Sequence, residues 1–445
     1  MSQAVRDPLP GTAVAERPAT DERWAIEDLV GPYGVVREPM RADTRGWMPP
    51  AVSMYIASSG NVARVRDEHS PSQRGTGGAG RALGDPARAR RLAICEAAER
   101  YAMTHARPVT PILASGHELG RDALPIEEVA RCSAAELRRP GCPIGQPDPD
   151  ARIRWTEAVE LTSREPRLVP LAMSHMFPPE PDENFWNPIS TGCAIHRTQV
   201  RALLGGLYEV VERDSLSLTW LRRLRLPRLA PAAISAEITE IVAWYRDRHT
   251  IVHLFDATTD IPIPSIYCVM ETPHDRRVSQ VVGTASGFDL HETALKALLE
   301  ASSVRAAIVD RATTPTRYTD FGDEVAGASF MARSSRRGIW SFLLDGERET
   351  SLPPARAFAS PEEELSYLVG LFRQRGMRVY ALDLTPREIE AIGYSVARVI
   401  IPALQPMSLV PLAQYRGHTR LKHDHPAATG PQRIRDLNPW PQPMA

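Results

Sequence analysis

Two stretches of the 445-residue chain repeat one pattern: CEAAERYA, Cys95 to Ala102, and YEVVERDS, Tyr208 to Ser215. Each carries Glu-x-x-Glu-Arg inside an apolar, helix-like run. Residues three or four apart on a helix share a face. Glu96 and Glu99 therefore project together, with Arg100 one step round, and Glu209 and Glu212 do the same beside Arg213. Around them stand Leu92, Ala93, Ile94, Ala97 and Ala98, then Leu203, Leu204, Leu207, Val210 and Val211, so both helices are expected to be largely buried. A carboxylate taken out of water must be paired or must hold a cation. That condition restricts the fold more than any other feature. Either each corner closes on its own arginine as a surface ion pair, or the two helices bring their acids together. Two carboxylates from each helix would make an oxygen-rich, four-carboxylate cage, which suits Mg2+ in company with nucleotide phosphates.

A third acid-bearing helix follows the loop GTASGFD. KALLEASSVR places Lys296 and Glu300 four apart on one face, with Arg305 beyond. The chain has only two lysines, Lys296 and Lys422, among 53 basic residues. A lysine here goes against the compositional drift. Lys296 reads either as a phosphate contact or as one half of an ordinary ion pair with Glu300.

The remaining sequence says which folds can carry such helices. Hydrophobic residues make up 43% of the chain, enough for a packed core, and a formal net charge of -1 provides no basic field for nucleic acid. The start of the chain lacks the apolar core of a signal peptide. No apolar run approaches the ~20 residues of a membrane span. The five cysteines are scattered without a CxxC pair, which suits a reducing cytoplasm. Residues 1–23 read as a flexible arm, 24–425 as the catalytic unit and 426–445 as a Pro-rich tail. VGPYGVV and AVSMYIAS read as strands, and residues 66–80 as a polar Gly-rich loop. Helices are expected over Pro86–His105, from Thr198 to about Leu221, and from about His291 to Arg311. TEAVELTS, RLVPLAM, TIVHLFDAT, IPSIYCVMET, SQVVGTASG, MRVYALDLT and ARVIIPAL read as strands. The alternation predicts an α/β chain with mixed α+β sheets and packed helices.

Other motifs carry less. GTGGAG spells GxGxxG but follows polar residues rather than a buried strand, and no P-loop is present. His418, His423 and His425 form either a metal cluster or a solvated segment. Cys193 is a nucleophile with His196 as its base, or a buried spectator. Pro439, Pro441 and Pro443 give Pro-x-Pro-x-Pro close to the last residue, which from composition alone is an exposed polyproline II tail.

Together these segments resemble the YcaO family. Its members show a Gly-rich turn then SAxxEAxER, a segment like STGLAAG followed by EVxERD, and an RALxEAxQSR helix. Here RLAICEAAERY, NPISTGCAIHRTQVRALLGGLYEVVERDS and ALKALLEASSVR stand in the same order, with the spacing from Ser190 to Glu209 kept. GPYGVV and SVARVIIPALQP also fit, so the resemblance covers about residues 24–445. Three positions depart from it. Lys296 stands where Arg is common, which keeps the charge and loses the bidentate fork. Ser303 stands where many members have Gln. Ala79 replaces the lysine of the commoner Gly-Lys-Gly turn, with Arg81 two residues on as a substitute.

The resemblance implies an ATP-binding fold in which Glu96, Glu99, Glu209, Glu212 and Glu300 hold Mg2+. Arg213 and Lys296 would touch the phosphates, with Ser190 and Arg81 as further nucleotide contacts. The terminal Pro-x-Pro-x-Pro resembles the mark of azoline-forming cyclodehydratases, whose stiff tail reaches the active site. A preformed tail costs less entropy to place. Pro439, Pro441, Pro443 and the carboxylate of Ala445 are accordingly expected at the catalytic centre. The implied reaction is ATP-dependent formation of thiazoline or oxazoline rings from Cys, Ser or Thr of a ribosomal precursor peptide. Thioamide or amidine formation, a non-catalytic peptide-binding subunit, and an ordinary ATP-dependent ligase or kinase are the other readings. About 24 residues precede the family-like region, too few for a leader-binding module, so a separate leader-binding partner is expected. A flavin dehydrogenase is a further expected partner, and a homodimer an open assembly.

Overall fold

The computed structural model describes residues 25–60, 77–105, 111–176, 180–309, 315–317, 321, 325–345, 352–353, 355–422 and 436–444. The main elements, in chain order, are β1 (Met40–Arg41), β2 (Val52–Ser58), β3 (Gly77–Leu83), α1 (Pro86–His105), β4 (Ile112–Ala114), β5 (Ile153–Glu160), β6 (Glu165–Pro170) and β7 (Cys193–His196). They continue with α2 (Gln199–Arg222), α3 (Ala236–Arg246), β8 (Ile251–Asp256), β9 (Ser265–Glu271), β10 (Gln280–Ser286), α4 (Leu290–Val309), α5 (Ala326–Met331), α6 (Pro361–Gln374), β11 (Tyr380–Asp383) and β12 (Ser395–Ile400). The predicted α/β class with mixed α+β sheets and packed helices is the one observed.

The strands form three sheets, ordered β1-β2-β3, β10-β9-β8 and β4-β5-β11-β12-β7, with β6 also paired to β5. All pairings between named strands are antiparallel. Each sheet carries one of the acid-bearing helices: α1 lies on β3, α4 on β10, and α2 on β12 and β7. Helix α2 is central. Its first half packs with β12, α6 and Leu404, and its second half with β9, β10 and α5. Thr198 caps its start by accepting the Arg201 N–H (3.3 Å), and Arg223 ends it in the left-handed region.

Two sequence expectations change here. Gly77–Gly80, read as the end of a loop, are the first half of strand β3, in register with β2 from Gly77↔Ser58 to Leu83↔Val52. The glycines serve helix packing. A Cβ at Gly80 would stand 1.9 Å from the Ala89 carbonyl and 2.3 Å from the Ala93 nitrogen of α1. The same device recurs where α4 crosses β10, since a Cβ at Gly283 would stand 2.2 Å from the Ala297 carbonyl. Only glycine lets a helix backbone come that close to a strand. VGPYGVV is not a strand pair but a turn closed by a single bridge, Val30↔Val36, with Tyr33 fully exposed. Its Gly-Pro-Tyr-Gly centre bends the chain too tightly for a ladder.

The end of the chain is also not an exposed polyproline tail. Leu437, Asn438, Gln442 and Met444 are buried, and Leu437 and Met444 join the cluster around Trp220, Phe330 and Trp340. The backbone N–H of Asn438 donates to the Leu221 carbonyl at 2.7 Å, and Trp220 donates its indole N–H to the Trp440 carbonyl at 3.1 Å. Pro441 and Pro443 are buried while Pro439 is exposed. Two large aromatic rings and Met444 supply more apolar area than a solvated tail would leave in water.

Candidate active site

The three acid-bearing helices use one local construction. In each, a backbone N–H of the facing strand, or of the turn just before it, donates to a glutamate of the helix. Ala79 donates to Glu96 (2.8 Å), Gly192 to Glu209 (2.9 Å) and Thr284 to Glu300 (2.7 Å). Glycine stands beside each of these contacts, Gly80 and Gly283 within their strands and Gly192 in the turn before β7, where a side chain would block the close approach. Ser190 belongs to that turn, where its carbonyl accepts the Cys193 N–H at 2.9 Å.

The remaining contacts join the second helix to the third. Glu212 accepts from Arg213 (2.8 Å) and from the Thr284 hydroxyl (2.8 Å), so the second and third acid groups share one network. Arg213 also reaches Glu209 at 3.5 Å. Arg100 closes on Glu96 at 2.8 Å. Burial works against the charge on Arg213, but Glu212, Glu209 and Glu300 outweigh it and hold its pKa above the usual arginine value.

The acids themselves are short of positive charge. Burial, then Glu209 and Glu96, drive the Glu99 pKa well above the ordinary carboxylate range. Among the described residues Glu99 accepts no hydrogen bond and makes no ion pair. Burial raises Glu209 too, against Arg213 and the Gly192 N–H. Burial, opposed by Arg213 and reinforced by Glu300, pushes Glu212 up to about 8. Like-charged carboxylates in a desolvated place keep their protons or take a cation. Oxygen donors of this kind fit Mg2+, and the unsatisfied Nε–H groups of Arg81 and Arg213 fit phosphate oxygens. The four-carboxylate cage is not assembled as such: among the described residues no three of His, Cys, Asp and Glu already surround one metal position. The acids instead stand as two groups, Glu96–Glu99–Glu209 and Glu212–Glu300, with Arg213 between them.

Several sequence candidates fall outside this centre. Lys296 is exposed and makes no ion pair with Glu300 among the described residues. Leu92, read as a buried neighbour of the first corner, is 43% exposed. Cys193 is buried and burial raises its thiol pKa, which suits a spectator. It is three residues from His196 along β7, an odd spacing that puts their side chains on opposite faces of the sheet. His418 is buried, facing the Pro402 carbonyl at 2.9 Å and accepting the Arg420 N–H at 3.0 Å. His423, His425 and Ala445 lie outside the described residues. Arg305 is tied to Asp275 and the Val278 carbonyl, away from the acids. Sequence reasoning missed Thr284, Asp214 and Arg398. Arg398 had a visible signal: a lone charge in the apolar strand run ARVIIPAL.

The profile of the YcaO cyclodehydratase family, described as ATP- and Mg2+-binding, matches residues 79–405. The chain belongs to this family. An uncharacterized protein in the tfuA 3' region of Rhizobium leguminosarum bv. trifolii is 26% identical over 297 residues, which is 63% of this chain and 65% of that protein. A heterocyclase solved in complex with substrate and cofactor superposes with a TM-score of 0.78 at 22% identity, covering 94% of this chain and 56% of that one. The YcaO protein from Methanopyrus kandleri, solved with AMPPCP and Mg2+, gives a TM-score of 0.59 at 19% identity, covering 83% and 86%. At these identities the structural likeness is one of fold. The chain spans little more than half the length of the heterocyclase and under two thirds of the rhizobial relative. Among the described residues no helix is long and apolar enough to cross a membrane.

Proposed function

We propose that this chain is an ATP-dependent cyclodehydratase that forms thiazoline or oxazoline rings in a ribosomally made precursor peptide. The observation that carries the reading is Glu99: a desolvated carboxylate with no hydrogen-bond or ion-pair partner among the described residues, facing Glu209 and Glu96, in a family whose model is described as ATP- and Mg2+-binding. Glu96, Glu99, Glu209, Glu212 and Glu300 would hold Mg2+, and Arg213 and Arg81 would meet phosphate oxygens. When bound, Mg-ATP supplies the phosphoryl group that turns a peptide amide oxygen into a leaving group, so each ring costs the peptide one oxygen and two hydrogens, and the oxygen departs with phosphate. The chain's own residues do the positioning. The amides of Ala79, Gly192 and Thr284 fix one oxygen of Glu96, Glu209 and Glu300 respectively; the second oxygen of Glu96 meets Arg100 and that of Glu209 meets Arg213, so a cation would share these acids with the two arginines. Arg213 stands between the two acid groups and keeps its charge, as transition-state stabilisation of a phosphoryl group requires. Packing of Leu437, Trp440 and Met444 in the cluster with Trp220 of α2 and Phe330 of α5 holds this segment near the helix that bears Glu209 and Glu212. In this reading a separate protein presents the precursor's leader, a flavin dehydrogenase oxidises the rings, and the work is cytoplasmic.

The test is phosphate release from ATP together with mass spectrometry of the peptide, using the chain, its leader-binding partner and precursor. Loss of one water per ring is expected. Glu209→Gln should lower phosphate release by about a hundredfold or more with an unchanged circular dichroism spectrum. Full activity in Glu209→Gln would sink the acid-cluster reading. Exchange of an oxygen for a sulfur would redirect it to thioamide formation, and peptide binding without phosphate release would redirect it to a scaffold role.

A further inference from the structure

Arg398 sits in the largest sheet, on β12, opposite Cys193 of β7 and Leu382 of β11. It is 2% exposed. Arginine is almost never buried that far unless it is paired. The partners of Arg398 are backbone carbonyls. Nη1 donates to Ile189 at 2.9 Å and Nη2 to Met173 at 3.1 Å, and Nη1 also lies 3.8 Å from the Met103 sulfur.

Ile189 leads into the turn that serves Glu209. The Ser190 carbonyl accepts the Cys193 N–H at 2.9 Å, and Gly192, third of the four residues, has φ +85°. A positive φ is what a type II turn asks of its third residue. The closing bond of the turn does not use the Gly192 N–H, which donates to Glu209 at 2.9 Å. Two consecutive residues of β12 hold this turn from both sides. The Val399 N–H donates to the Gly192 carbonyl at 2.7 Å, and the Arg398 side chain takes the Ile189 carbonyl. The same guanidinium meets the carbonyl of Met173 in the short helix Leu171–Ser174. It also touches Met103 of α1, one helical turn beyond Glu99. Three segments around the acids thus converge on one side chain.

We infer that Arg398 is a positioning residue that braces the Ile189–Gly192 turn and so fixes the direction in which Gly192 presents its amide to Glu209. The residue type follows from the task. Two carbonyls on two segments are reached at once by two nitrogens of one rigid plane, which an ammonium on a flexible stem does not reproduce. Burial lowers the pKa of Arg398, while Cys193, Glu209 and Glu99 act to raise it, so the acids help to keep the brace charged. The inference rests on the cyclodehydratase reading only in that Glu209 there holds Mg2+.

Hydrogen exchange of the metal-free protein reads the brace without any ligand. In Arg398→Lys the amides of residues 191–193 should exchange about tenfold or more faster than in wild type, while those in the middle of α2 keep their rates. Mg-ATP affinity, measured by calorimetry well below the melting temperature, should fall by about tenfold or more in Arg398→Lys and Arg398→Met. The lysine variant serves alone if the methionine variant does not fold. A residue that only stabilised the sheet would lower the melting temperature and leave both readouts at the wild-type level, and that result overturns the inference. Full rescue by lysine overturns it too, because charge and not the fork would then be what counts. Ring formation is followed on the same samples with the leader-binding partner and precursor. Mg-ATP binding that depends on Arg398 in a protein that forms no rings would refute the cyclodehydratase reading and leave the brace standing. Rings formed at the wild-type rate by Arg398→Lys, with unchanged exchange and affinity, would do the opposite.

Discussion

Glu99 shows how much one side chain can say about a missing partner. It stands one helical turn from Glu96, whose charge Arg100 already answers, and it faces Glu209 across the gap between α1 and α2. Among the described residues it accepts no hydrogen bond, and only the charges of Arg100 and Arg398 oppose its burial. Replacing it with glutamine removes a repelled, desolvated carboxylate at little change in shape. Glu99→Gln should therefore raise the melting temperature of the metal-free protein by about a degree, which is what about 1 kcal/mol gives in a chain of this size, and should remove most of the further rise that Mg-ATP gives wild type. Thermal melts with and without Mg-ATP check both. A destabilised variant that still responds fully to Mg-ATP would mean that Glu99 is satisfied by something other than a cation. Both halves of the acid pattern were legible from spacing alone, because helical periodicity is local. Which acid lacks a partner was not, since with the same spacing Arg100 pairs with the acid four residues back, Glu96, while Arg213 bonds its direct neighbour Glu212 at 2.8 Å.

At the scale of elements, the last segment is held by aromatic stacking rather than by sequence-local structure. Arg336 lies between Phe330 of α5 and Trp440, 4.0 and 4.6 Å from the two ring centroids. Trp440 also accepts from the Trp220 indole through its carbonyl, and Gly327 leaves room for the Gln442 carbonyl, which would stand 2.7 Å from a Cβ there. Cation–π contacts of this kind contribute up to about 2 kcal/mol when shielded from water. Trp440→Ala should release the segment from Asn438 onward, lowering stability by about 2–4 kcal/mol and exposing it to carboxypeptidase. Urea unfolding and the rate of C-terminal trimming measure the two effects. Unchanged trimming would show that Pro441 and Met444 hold the segment without the tryptophan. The prolines marked the segment in the sequence; its burial depends on Phe330, Arg336 and Trp220, more than two hundred residues away in the last case.

Across the whole molecule, one buried ion network joins the middle of the chain to its end. Asp214 follows directly on the second acidic corner and is fully buried. It accepts from Arg420 at 2.7 Å and from the Gln405 N–H at 2.7 Å. Arg420, 2% exposed, reaches Asp260 as well, at 2.6 Å. Three distant segments are thereby fixed on the helix that carries Glu209 and Glu212. Asp214→Asn leaves Arg420 with one carboxylate in a buried place, and should destabilise the protein by about 3–5 kcal/mol. Chemical denaturation of Asp214→Asn, Arg420→Met and the double variant checks the coupling. The double variant should lose less than the sum of the singles, because the cost of each single lies largely in the charge left behind. Simple additivity would show that the pair is not a unit.

The sequence by itself determined the acid-bearing helices, their order, most of the strands and the family resemblance. Those features rest on periodicities and spacings of a few residues, which do not need the rest of the molecule. The tertiary structure alone decided that strand amides anchor Glu96, Glu209 and Glu300, that Thr284 ties Glu212 to the third helix, and that Lys296 faces solvent. It also decided that Gly77–Gly80 are strand, that the proline-rich end is buried, and that Arg398 reaches the Ile189 carbonyl. Each of these depends on which backbone or side chain meets another across the core. An acid, a glycine or a proline carries the same letter whether its neighbour in space is water, an amide or a tryptophan. Only packing sets that neighbour, and with it the local dielectric that drives the Glu99 pKa above the ordinary carboxylate range.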